Sequence, residues 1–89
     1  MFIFQGYVIF YTTDNTLKDR DWAVEGVLGD KMTTTIRGLL SDKKYYFKIQ
    51  ARNKKGYGPV SNIVPFTTPP SKLDIKLRII VSNVEIYIV

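Results

Sequence analysis

The sequence predicts an all-β domain, and three observations carry that prediction. Residues 45–52 alternate, with Tyr45, Phe47, Ile49 and Ala51 on one side and Tyr46, Lys48, Gln50 and Arg52 on the other, the period of a half-buried strand. Runs rich in β-branched and aromatic residues are separated by clusters of Gly, Pro, Asn and Asp. No window of helical length has a convincing 3.6-residue period.

The elements follow in order. Gly6–Thr13 suits a largely buried strand, with Tyr7, Ile9 and Tyr11 on one face and Val8 and Phe10 on the other. Asp14–Asp21 is a polar loop, Trp22–Val27 a short strand before a Gly29–Asp30 turn, and Thr33–Leu39 a Thr-rich strand. Ser41–Lys44 turns the chain into the alternating strand at Tyr45, whose apolar side is the core side and whose polar side is basic. Asn53–Pro59 has the Asn, Gly and Pro of a hairpin-type connection. A strand through Val64, Phe66 and Thr68 contains Pro65, which cannot donate to a ladder, so it belongs at an edge or bulge; Pro69–Pro70 stops it. Leu73, Ile75, Leu77 and Ile79 alternate with Asp74, Lys76 and Arg78, and Ser82–Asn83 can turn the chain into Val84–Val89, which predicts a C-terminal β-hairpin.

Composition narrows the function classes. The 89 residues fit one small domain with a marginal core. The chain has no Cys and no His, which removes disulfides, thiol nucleophiles, imidazole bases and the usual transition-metal ligands. Asp14, Asp19, Asp21 and Glu25 cluster in a polar loop and read as solvated carboxylates, not as an acid–base pair or a calcium site. The glycines lack phosphate-loop spacing, and the chain contains neither an Arg-Gly-Asp tripeptide nor an Asn-x-Ser/Thr site. No catalytic residue and no cofactor are expected. Met1–Tyr11 is too short to span a bilayer and lacks the basic start and cleavage site of a signal peptide, and Leu73–Val89 carries Lys76, Arg78 and Glu85, so no membrane insertion is expected.

The run Leu39–Pro59 (LLSDKKYYFKIQARNKKGYGP) resembles the late strands of a fibronectin type III domain, an immunoglobulin-like β-sandwich. Leu39, Tyr45, Phe47, Ile49, Ala51, Asn53, Gly56 and Gly58 occupy the places of that family's pattern. Gly6–Tyr11 is similar to its third strand, Thr35–Leu39 to its fifth and Pro59–Thr68 to its last, so the likeness covers roughly residues 5–69. GYVIFYTTD, Asp21–Trp22 and YYFKIQARNKKGYGP look closest to netrin receptors of the neogenin and DCC type. The resemblance implies a non-catalytic protein-interaction module of a cell-surface adhesion or axon-guidance receptor ectodomain. It implies a place on the extracellular side of the plasma membrane, and a secreted or cell-surface protein as ligand. Tyr45 stands at the family's tyrosine corner, a structural role.

The chain departs from the family in lacking two strands, one with a core Trp, before Gly6; its one Trp is Trp22. Residues 1–69 are therefore expected to form a partial fibronectin type III domain, truncated at the N-terminus, and 70–89 an apolar extension. The absent burial is roughly 10 kcal/mol, against a whole-domain stability of about 5–15 kcal/mol. Either the C-terminal hairpin lies against the open face, or the ends are not native coding sequence.

The net charge is +5, which favours acidic partners. Lys44, Lys48 and Arg52 share the outward side of one strand, with Lys43, Lys54 and Lys55 at its ends and Tyr57 at the tip of the following loop. They form the candidate partner-binding set, for an acidic protein surface or a heparan-sulfate-like polyanion; the alternative is a solvated face that discourages edge-to-edge pairing. Tyr46, Val8 and Phe10 share that outward side and form a candidate apolar contact spot. Two other classes remain open: a structural spacer repeat of an intracellular or enzyme-associated protein, and a basic β-barrel for nucleic acid. The second is disfavoured because Tyr45 and Phe47 alternate away from Lys48 and Arg52, so no nucleic acid is expected as partner.

Overall fold

Alternation on two long strands sets the architecture. In the computed structural model, which describes residues 4–29, 31–53, 55–71, 73–80 and 84–89, β1 (Phe4–Thr12) pairs antiparallel with β4 (Lys44–Asn53). Tyr7 lies opposite Ala51, Ile9 opposite Ile49 and Tyr11 opposite Phe47, so the apolar sides of both strands share one face. Tyr7, Ile9, Phe47 and Ile49 are fully buried there. β2 (Ala23–Leu28) flanks β1, while β5 (Gly56–Val60) and β6 (Val64–Thr67) both pair with the other side of β4. Between β5 and β6, Ser61 replaces the ladder: its N–H donates to Ile49 O at 2.8 Å and its Oγ accepts from Ile49 N at 2.9 Å. Pro65 sits at the edge expected of it, since β6 pairs only with β4 among the described strands.

The second sheet has the order β3-β7-β8, with β3 (Thr33–Ile36), β7 (Ile75–Ile80) and β8 (Glu85–Ile88) antiparallel in turn. The hairpin expected over the C-terminal residues is thus present and packed onto the first sheet; its expected turn at Ser82–Asn83 lies outside the described residues. Ile75, Leu77, Ile79 and Ile86 join Tyr7, Ile9, Phe47 and Ile49 in one apolar cluster, completed by Val27, Ile36, Leu39 and Tyr45. Besides the β3–β7 ladder, backbone bonds from Leu39 N to Leu73 O and from Ile79 N to Met32 O, each at 2.8 Å, suture the tail to the rest. The result is an all-β sandwich whose open inward face is covered by the tail.

Several boundaries differ from expectation for local reasons. β3 ends at Ile36, not Leu39, because Gly38 takes a positive φ of 73° and turns the chain. The stretch expected as a connection contributes a strand from Gly56. Asp19–Asp21, expected as loop, forms a single 3₁₀ turn. Gly6 has a φ of 147°, and a Cβ there would lie 2.1 Å from Val27 O, so close approach of β2 demands glycine.

Candidate functional site

The sheet face opposite the core is built in cross-strand rows. Val24, Phe10 and Lys48 form one row; Gly26, Val8 and Gln50 the next; Leu28, Gly6, Arg52 and Tyr57 the third. Thr12, Tyr46 and Pro65 form a row beyond Lys48. Because Gly26 carries no side chain and no neighbour fills its place, a trough lies beside it on this face. Val8, Phe10, Val24, Gly26, Gln50 and Tyr57 line it together with Arg20 and Arg52, enclosing about 560 Å³. The Gln50 amide donates to Gly58 O at 2.7 Å, which fixes it beside the turn that carries Tyr57.

Lys48 departs from the solvated outward position expected of it. Its side chain is buried, its ammonium lies 3.9 Å from the Trp22 ring centroid and 5.6 Å from that of Phe10, and it pairs with Asp19. The physical reason is the polar loop, which folds back over the sheet face. Trp22 anchors it, donating Nε1–H to Leu17 O at 3.1 Å, and the 3₁₀ turn presents Asp19 to the ammonium. Trp22 is buried by this covering and stays outside the core cluster.

The other expected residues do not form one patch. Lys44 is exposed and lies 5.5 Å over the Tyr46 ring. Eight residues separate it from Arg52, roughly 26 Å along a strand. Arg52 and Tyr57 are register partners, both exposed, with Lys55 exposed in the turn between them. The Lys55 N–H donates to Asn53 Oδ1 at 2.7 Å. Lys54 lies outside the described residues. Val8 and Phe10 do share the outward face with Tyr46, one row apart or more.

Sequence reasoning missed Arg20, Val24, Gly26 and Gln50. Arg20 stood in a loop whose docking depends on the Asp19–Lys48 contact, and nothing in local pattern announced that contact. Period-2 alternation from Val8 and Phe10 onto Gln50 was the available signal for the trough. Among the described residues neither Arg20 nor Arg52 has an ion pair, since the one salt bridge there is Lys48–Asp19.

Among the described residues, two titrating groups are shifted. The Asp14 carboxylate accepts from Thr16 Oγ1 at 2.6 Å and Thr16 N at 3.0 Å, which holds its pKa below the ordinary value. Burial raises that of Tyr7. No group of three or more potential metal ligands gathers among the described residues, and no helix there is long and apolar enough to cross a membrane.

The family model of the Fibronectin type III domain matches residues 3–67. The chain is 52% identical over 64 residues to neogenin of Rattus norvegicus, covering 72% of this chain and 5% of that relative. It is 47% identical over 62 residues to the netrin receptor DCC of Homo sapiens, covering 70% of this chain and 4% of the relative. To a Caenorhabditis elegans protein named Tyrosine-protein phosphatase Lar-like it is 36% identical over 64 residues, covering 71% of this chain and 3% of the relative. The match therefore spans 5% or less of the length of these curated relatives.

Proposed function

The chain belongs to the fibronectin type III family, and we propose that it works as a non-catalytic protein-binding module of a cell-surface adhesion or axon-guidance receptor. Residues 1–69 supply the repeat in this proposal, and 70–89 an extension that closes its core. The ligand is a secreted or cell-surface protein, of the netrin kind that the name of one relative prints. The module works on the extracellular side of the plasma membrane.

One observation carries this reading. The sheet β2-β1-β4-β5 buries one face in the core and leaves on the other an apolar trough flanked by two guanidiniums that have no ion pair among the described residues, and by the exposed ring of Tyr57. Exposed aromatic and Arg side chains around an apolar centre are the composition of protein-contact surfaces. The spacer alternative draws on the Lar-like relative, since a similar domain occurs in a chain named for an enzyme. It is not favoured, because identity is higher to neogenin and to a netrin receptor.

The test is surface plasmon resonance with the chain immobilised and a purified netrin in solution. Saturable binding that weakens on Tyr57→Ala and Arg52→Ala supports the proposal. Binding that never saturates, or that is indifferent to both substitutions, argues against it.

A further inference from the structure

We infer that the trough centred on Gly26 is a seat for one apolar side chain of an acidic, extended segment in a protein partner. This rests on the proposal that the module binds protein, and it names the chemistry of the piece that is bound.

The floor and walls are apolar: Val8, Phe10 and Val24, with the Tyr57 ring at one side. A Cβ built on Gly26 meets nothing within 4 Å, so the missing side chain is not replaced by any neighbour. The sheet could carry a β-branched residue there at no steric cost, yet the position leaves room that an incoming side chain can fill.

Charge sets the sign of the segment. Arg20 arrives on the 3₁₀ turn, beside the Phe10–Lys48 row where Asp19 docks. Arg52 stands four residues further along β4, roughly 13 Å away along the strand. Carboxylates on either side of the seated residue would pair with these two cations through charge-assisted hydrogen bonds. The nearby carboxylates do not cancel them: Asp19 is engaged by Lys48, and Asp21 is exposed and in no ion pair among the described residues.

A sulfated glycan fits less well. Lys48, the cation at the centre of the strand, is buried and paired, and Lys44 is at the far end. The trough itself is flanked by two separated guanidiniums over an apolar floor, with Lys55 outside it in the neighbouring turn. A sulfated sugar has only ring C–H faces edged by hydroxyls and sulfates, no compact apolar side chain, to seat there.

The test is a titration of the ¹⁵N-labelled chain, followed by amide chemical shifts, with three probes: a pentapeptide of leucine flanked by two glutamates on each side, the same peptide with lysines for glutamates, and a heparin-derived oligosaccharide. The expected result is that the acidic peptide shifts the amides of Val8, Gly26 and Gln50, and that the lysine peptide does not. Gly26→Leu should fill the seat and weaken binding roughly tenfold or more, as exclusion of a central anchor does, with the rest of the spectrum retained. Arg52→Glu, which changes an exposed side chain and leaves Arg20 opposite it, should weaken the acidic peptide and erase its advantage over the lysine peptide. The inference is overturned if the two peptides act alike, if only the oligosaccharide shifts these amides, or if Gly26→Leu binds the acidic peptide unchanged. A netrin bound equally by the natural chain and by Gly26→Leu, with the peptide silent, overturns the seat and leaves protein binding standing. A positive peptide titration without netrin binding supports the seat and removes the netrin ligand instead.

Discussion

The Lys48 ammonium lies 3.9 Å from the centroid of the Trp22 ring, enclosed between that ring and Phe10 and paired with Asp19. A cation so placed is desolvated on most sides, and its remaining compensation comes from two π faces and one carboxylate. Asp19 itself is 61% exposed, which moderates the pair's strength. Asp19→Asn should therefore destabilise the fold by about 1–2 kcal/mol, short of the value for a fully buried pair. Lys48→Met removes the charge while keeping the stem over Trp22, and should cost less than Asp19→Asn. Urea unfolding of the two variants measures the order; the reverse order would mean that the ammonium contributes more than its burial costs.

The C-terminal hairpin closes the core, so its apolar residues should behave as core residues. Leu77 is fully buried and paired across to Ile88 and Thr34. Leu77→Ala should cost about 2–5 kcal/mol, the range for a large-to-small change in a packed interior. Ending the chain after Pro70 would remove Ile75, Leu77, Ile79 and Ile86 together, roughly 6–12 kcal/mol of burial. That is comparable to the whole stability of a domain this size, so the shortened chain should show no cooperative thermal transition by circular dichroism. A sharp transition would show that β1–β6 hold a core by themselves.

What was legible in the sequence divides along physical lines. The identity of the buried face could be read because alternation is local and strict at Tyr7, Ile9, Phe47 and Ile49. The pairing of β1 with β4 could not, since alternation within a strand does not name its neighbour. The tail hairpin could be read from the same period at Ile75, Leu77 and Ile79 together with an energetic deficit. Lys48 could not be placed, because period 2 assigns a face and says nothing about what covers that face. Its burial depends on a loop contact 29 residues away, between its ammonium and Asp19. For the same reason Arg20 was not visible at this face, whereas Arg52 and Tyr57 read as members of a basic patch and a loop tip, with no groove between them, and prove to be register partners across one turn.

The Tyr45 hydroxyl accepts a hydrogen bond from Leu40 N at 3.0 Å, five residues upstream, as expected of a tyrosine corner. Tyr45→Phe keeps the ring and its tilted contact with Phe47 at 6.2 Å between centroids. The change then isolates the bond, and leaving a partly buried N–H without its partner should cost about 1–2 kcal/mol. Chemical denaturation should show a lowered midpoint with an unchanged slope; a changed slope would indicate that the ring had moved as well.

Asp14 gives the sign of one acid response. Its folded-state pKa is depressed, chiefly by the side-chain bond from Thr16 and then by the backbone one. A depressed carboxylate contributes stability above its unfolded pKa and loses it as pH falls through the folded value. Thr16→Ala removes the larger cause, so an NMR titration should find the Asp14 pKa moved up toward the ordinary aspartate value of 3.8. The variant should also lose less stability than the natural chain on acidification below that pH. Identical titration curves would show that the turn at Thr16 does not hold the carboxylate in solution.

Gly6 and Gly26 stand in adjacent rows of one sheet face, yet they should respond oppositely to substitution. A Cβ on Gly6 would fall 2.1 Å from Val27 O, a backbone atom, and the residue's φ of 147° is strained for any L side chain. Gly6→Ala must therefore push β2 away from β1 or shift the bulge beside Phe4, and should cost about 2–4 kcal/mol through backbone strain and lost pairing. On Gly26 a Cβ meets nothing within 4 Å and φ is unexceptional, so Gly26→Ala should be neutral or stabilise by about 0.4–1 kcal/mol through the unfolded chain. Thermal melts of the two alanine variants decide the matter together. A destabilised Gly26→Ala would mean that the trough is closed in solution by something other than solvent. A tolerated Gly6→Ala would mean that β1 and β2 are not held as closely as the ladder between Gly6 and Leu28 requires.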